Sequence, residues 1–119
     1  MKKTDDFAKD KPLLTTSVVA GMLGITPDRL RTYDTAKLIS VHRITTGEVK
    51  KRLYSQYDVE WLKGLRTLLQ EHKISVSLLK YLLKLAYKNP KLTYPQDKVS
   101  TVLKDLTQNP NFEKVVKEF

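Results

Sequence analysis

The sequence predicts a mainly α-helical fold: a winged helix-turn-helix, with a small β-hairpin as the wing and short helices at the C-terminal end. Three observations predict it. A short helix with a complete start signal over 27–35 follows another across a glycine turn. A strand-compatible, cationic stretch over 41–54 comes next. From Ser55 onward, apolar residues recur at helical spacing.

Residues 1–12 mix Lys and Asp and end in Pro12. They are expected to form a flexible N-terminal arm, with Phe7 its one docking residue. Thr16 is placed as the cap of a first helix over 17–23, where Val18, Val19, Met22 and Leu23 form an apolar stripe and Gly24 stops the helix. The helix over 27–35 is the element the rest serves. Thr26 is its N-cap, positioned to accept an orphan backbone N–H of the first turn. Pro27 takes the first helical position, where its missing N–H costs nothing. Ile25 and Leu30 have hydrophobic-staple spacing, and Asp28 suits the helix dipole. Behind these come Arg29, Arg31, Thr32 and Tyr33. A short helix so rich in cationic and hydrogen-bonding side chains is poorly suited to a core and well suited to a DNA major groove.

Val41, Ile44, Val49 and Leu53 are strand-compatible, and Thr45-Thr46-Gly47 marks the bend. Arg43, Lys50, Lys51 and Arg52 give this hairpin its charge, as expected of a wing lying along the backbone or minor groove. Ser55 to Asp58 have capping-box spacing, with Tyr54 and Val59 as the staple. Trp61, Leu62, Leu65, Leu68 and Leu69 then form an apolar core stripe. Ser75 caps a fourth helix whose Leu78, Leu79, Leu82, Leu83, Leu85 and Ala86 make a wider apolar face than a small domain covers on one side. The excess points to contact with the C-terminal segment or with another subunit. Asn89-Pro90 ends that helix. Two short amphipathic helices follow, built on Val99, Val102, Leu103 and Leu106, then on Phe112, Val115, Val116 and Phe119, with Asn109-Pro110 between them.

The net charge of +9 and pI of about 9.7 are large for 119 residues. The charge is concentrated: residues 28–52 carry seven Lys/Arg against three Asp/Glu, and residues 80–98 five against one. Two cationic blocks suit a protein that docks on a polyanion. The absence of cysteine excludes disulfides, thiolate metal sites and thiol redox sensing. His42 and His72 are isolated, so no metal site is expected. No paired carboxylates, Ser/His/Asp set or Gly-rich phosphate loop points to an enzyme or a cofactor. No apolar run has membrane-spanning length, and the basic start leads into polar residues rather than a signal-peptide core. A cytoplasmic location is expected.

The run from Thr15 to Ile39, then His42-Arg43, then Gly47 and Arg52 to Leu62 resembles the winged-helix DNA-binding domain of the MerR family. Within that family the SVVA, LRTYD and RLYSQYDV stretches are most similar to the heat-shock repressor HspR group. The resemblance covers residues 14–86, about three-fifths of the chain. It implies a sequence-specific DNA-binding transcription regulator. By position, Arg31 and Tyr33 fall on the family's Arg-x-Tyr, which contacts mainly the DNA backbone. Thr26 and Arg29 fall where base edges are read. Arg43 matches the arginine entering the wing, and Arg52 and Tyr54 the Arg-x-Tyr leaving it. Ser17, opening the SVVA stretch, and Thr32 join the DNA-facing set.

Two departures stand out. Lys37 occupies a position where the family usually has glycine, so a differently built helix end is expected. Pro90, Pro95 and Pro110 break up the region where typical members carry one long coiled-coil helix. The expected division is an arm over 1–12, a DNA-binding domain over 13–88, and a linker with short helices over 89–119 that serve dimerisation or packing. Two other functions fit the same fold: an excisionase-like DNA-bending protein, and a chaperone-modulator-like interaction module using residues 76–119. The basic helix and wing together decide against the interaction module as the primary role, whereas the DNA-bending protein differs from the regulator in specificity ratio and DNA bending rather than in any residue.

Overall fold

The computed structural model describes residues 9–119. Phe7, the expected docking residue of the arm, lies outside the described residues. The chain divides within one helix into two compact units, the first ending at Glu60 and the second beginning at Trp61.

In the first unit, β1 (Leu14–Thr15) leads into α1 (Thr16–Leu23) and α2 (Pro27–Thr35). The hairpin β2 (His42–Thr46) and β3 (Val49–Tyr54) follows, and then α3 (Gln56–Arg66) opens. The cap of α1 is Thr15, one residue before the expected Thr16; its hydroxyl accepts from the Val18 N–H. The shift has a tertiary cause. Leu14 and Thr15 pair antiparallel with Tyr54 and Leu53, forming a third strand in the order β1-β3-β2. That pairing holds the chain extended up to Thr15. Gly24, with φ of 68°, closes α1 in the left-handed region as expected.

The start of α2 follows its signals: the Thr26 hydroxyl accepts from the Arg29 N–H at 3.1 Å, and Pro27 opens the helix. Its end departs from expectation. Lys37 adopts φ of 62°, and the Leu38 and Lys37 N–H groups donate to the Tyr33 and Asp34 carbonyls at 3.0 and 2.9 Å. This is a Schellman motif with lysine where glycine is normal. The helix therefore ends as a glycine-terminated one does, and the strain is taken by an exposed lysine. The hairpin loop is Gly47-Glu48, with Gly47 at φ of 62°, glycine leading a two-residue turn. Val19, Leu23, Leu30, Tyr33, Leu38 and Tyr54 are among the buried side chains of this unit. Ahead of β1, Lys9 pairs with Glu60 at 3.0 Å and lies over the Tyr57 ring.

The capping box of α3 forms as the spacing predicts. The Ser55 N–H donates to the Asp58 carboxylate at 2.9 Å, and the Asp58 N–H donates to the Ser55 hydroxyl at 3.1 Å. In the second unit the helix widens into a π turn over Thr67–Glu71, where the His72 N–H reaches back to the Thr67 carbonyl. Lys73, at φ of 57°, reverses the chain into α4 (Val76–Lys88), capped by Ser75. The C-terminal helices are α5 (Lys98–Thr107), capped by Asp97, and α6 (Pro110–Val116), capped by Asn109. Both pack on α4. Gly64 allows α3 and α5 to approach closely: a Cβ there would lie 2.6 Å from Leu106 Cδ2. The wide apolar face of α4 is thus partly explained. Leu79, Leu83 and Ala86 are buried, while Leu78, Tyr81 and Leu85 remain exposed. Among the described residues, no helix is long and apolar enough to cross a membrane.

Candidate nucleic-acid interface

The outward side of α2 is polar because Leu30 and Tyr33 take its inward side. Arg29, Arg31 and Thr32 are exposed, as is Thr26 at the cap. Arg31 pairs with Asp28 one turn back, an exposed ion pair of small worth that an incoming phosphate can displace. The Thr32 hydroxyl donates to the Asp28 carbonyl at 3.0 Å, which leaves its oxygen free only as an acceptor. Ser17 is exposed in the first turn of α1.

The register divides the hairpin charges. Residues directly opposite share a face, and successive pairs alternate. Arg43 faces Arg52 and Thr45 faces Lys50, so these four lie on one face. Ile44 with Lys51 and Thr46 with Val49 lie on the other. Lys50 and Lys51, neighbours in sequence, therefore point opposite ways. Only Lys50 shares the face of the two arginines.

Those arginines converge on a residue that the sequence reading left out of the site. Asp34 Oδ2 accepts from Arg43 Nη2 at 2.5 Å and from Arg52 Nε at 2.9 Å. A signal was present: Asp34 is a carboxylate in the last turn of a helix, where the dipole disfavours negative charge. Nothing local explains it.

Two of the expected DNA contacts lie beneath the surface of the chain. Tyr54 is completely buried and Tyr33 nearly so. Tyr54 shares the strand face of Arg52 and Lys50 but sits at the end of β3, opposite Leu14 of β1, where the fold covers it; Tyr33 lies on the core side of α2, so neither ring is part of the exposed surface. Burial pushes the Tyr54 phenol above its ordinary value; Asp34 adds to the rise, while Thr16, Arg52 and Arg43 oppose it. The Thr16 side chain is within electrostatic reach, yet no hydrogen bond of ordinary geometry holds the Tyr54 hydroxyl.

Helix-turn-helix, cationic hairpin and the third helix fall in one continuous stretch, and residues 14–85 match the family model described as MerR HTH family regulatory protein. The chain belongs to the MerR family. A similar protein of Streptomyces coelicolor, which carries the name heat shock protein HspR, is 34% identical over 80 residues, or 67% of this chain. The match takes in 51% of that relative, so the chain spans about half the length of the curated relative it matches. The MerR match ends within α4, and α5 and α6 lie beyond it.

Proposed function

We propose that this MerR-family chain is a sequence-specific DNA-binding transcription regulator, with α2 in the major groove and the hairpin along the flanking backbone or minor groove. One arrangement carries the reading: Arg29, Arg31 and Thr32 stand exposed on α2, and the hairpin face tied to that helix carries Arg43, Arg52 and Lys50. Arg29 and Thr26 read base edges at the start of the helix, and Arg29 suits a guanine edge. Arg31, Thr32, Ser17 and the hairpin cations neutralise phosphates, releasing counterions and supplying affinity. Lys51 serves only DNA that passes the hairpin's other face. Tyr33 and Tyr54 support the surface from beneath.

The name of the Streptomyces relative supports a heat-shock role, and the resemblance of the SVVA, LRTYD and RLYSQYDV stretches to the HspR group supports a repressor as the kind of regulator. We assign the DNA contacts to the unit ending at Glu60. The protein acts in the cytoplasm by binding, with no catalytic step of its own. Self-association falls to residues 76–119, where Leu78, Tyr81 and Leu85 form an exposed stripe at helical spacing.

Selection of bound duplexes from random genomic fragments, across a salt series, tests this. About six phosphate contacts predict roughly a thousandfold loss of affinity between about 50 and 200 mM salt. One enriched motif that survives the higher salt supports the regulator, and a palindromic motif supports the dimer. Steep salt dependence without enrichment favours a DNA-bending role. No binding at low salt refutes the reading.

A further inference from the structure

We infer that Asp34 is a positioning residue that locks the wing onto the recognition helix and sets the specificity of DNA binding. The inference rests on the proposed DNA-binding function. Arg43 and Arg52 lie directly opposite each other on β2 and β3, a like-charge pairing that destabilises a hairpin by itself. One carboxylate oxygen between them removes the repulsion and ties both strands to the last turn of α2. The Asp34 side chain is 9% exposed, whereas those of Arg43 and Arg52 are 52% and 33% exposed. The acid is thus sealed in, and the arginines keep open surface. A guanidinium has five N–H donors in a rigid fork. Each arginine gives Asp34 one bond and retains donors for a phosphate. The same ion triad therefore orients the wing and presents it.

Local rules place no carboxylate at the C-terminal end of a helix, and this one is nearly buried there. Its partners lie nine and eighteen residues away, on both strands of the hairpin. The arrangement makes sense as a fixed angle between helix and wing, which decides whether both can meet one stretch of duplex.

Asp34→Asn tests the inference because it moves two affinities in different directions. Losing the acid raises the net charge by one and frees both guanidiniums, so affinity for a random-sequence duplex should hold or rise and its salt dependence should steepen. Affinity for a duplex recovered by selection should fall. The ratio should drop about tenfold, the worth of one charge-assisted hydrogen bond. A merely structural defect would lower both affinities together, and that result, or an unchanged ratio, overturns the inference. If the wild-type chain binds neither duplex, it is the DNA-binding reading that fails.

A second measurement needs no DNA. The chain lacks cysteine, so Thr35→Cys and Glu48→Cys accept spin labels without competition. The distance between the labels should be narrowly distributed in the wild-type background and broad with Asp34→Asn. Should that variant fail to fold, Asp34→Asn/Arg52→Gln keeps the wild-type net charge and carries the same test. A distribution as narrow as the wild type's overturns the lock.

Discussion

Replacing Lys37 isolates the energy stored at the end of α2. Its φ of 62° puts an L-residue in the left-handed region, a strain of about 1–2 kcal/mol relative to ordinary helical backbone. Glycine has no such strain but loses about 0.5–1 kcal/mol through its freer unfolded chain. Loss of the lysine charge also removes a favourable dipole interaction, so the informative comparison is Lys37→Gly against Lys37→Ala, both of which lose it. The side chain is exposed, so neither substitution opens a cavity. The glycine variant should be more stable than the alanine variant by about 1 kcal/mol, or roughly 3–5 °C in Tm. The sign is diagnostic, because inside an ordinary helix alanine exceeds glycine by about 1 kcal/mol. Thermal unfolding followed by circular dichroism, at a salt concentration that screens surface charge, makes the comparison. Equal stabilities, or alanine the more stable, would refute the left-handed Schellman end.

Arg31→Ala should weaken binding to every duplex alike, whereas Arg29→Ala should relax preference at one base position; parallel competition with single-base variants of the selected duplex separates them, and equal losses in both would contradict that division. Tyr54→Phe should leave DNA affinity unchanged because its hydroxyl is buried, and a clear loss in a fluorescence-anisotropy titration would return Tyr54 to the interface. The same substitution has a pH signature. A phenol pushed above its ordinary value by burial stays neutral in the folded chain after the unfolded chain ionises. Its contribution to stability is present below that value and is lost as pH rises through the folded-state value. Denaturant melts should therefore show the wild type losing more stability than Tyr54→Phe on going from neutral to strongly alkaline pH. Gly64→Val should destabilise the second unit by about 1–3 kcal/mol in urea unfolding, since its Cβ meets buried Leu106 and a valine adds further carbons; an unchanged midpoint would rule out the close approach.

The local elements were legible because their causes are local. Thr26, Ser55 and Ser75 cap the helices they precede, since a hydroxyl three residues before a free N–H can hardly do otherwise once the helix starts. The apolar period from Trp61 to Leu68 required burial on one side of α3 and its continuation, and those side chains are buried. Gly47 and Gly24 stand where the backbone needs a positive φ, and both were visible as breaks. In the candidate site, the exposure of Arg29, Arg31 and Thr32 follows from the apolar spacing of α2 alone.

What only the tertiary structure decided involves partners distant in sequence. β1 exists because Leu14 and Thr15 find Tyr54 and Leu53 across forty residues, and two residues carry no strand signal of their own. Tyr33 and Tyr54 are amphipathic side chains, as suited to a groove as to a core, and their neighbours in the fold chose the core. Lys50 and Lys51 look alike in sequence; only strand register, set by the turn and the pairing, sends them to opposite faces. Asp34 is the clearest case. On its helix it is a misplaced acid, and between Arg43 and Arg52 it is the charge that joins helix to wing. Caps, turns and periods depend on interactions within a few residues and so are written in the sequence. Facing, burial and ion pairing depend on which surfaces meet, and those arise only when the chain has closed on itself.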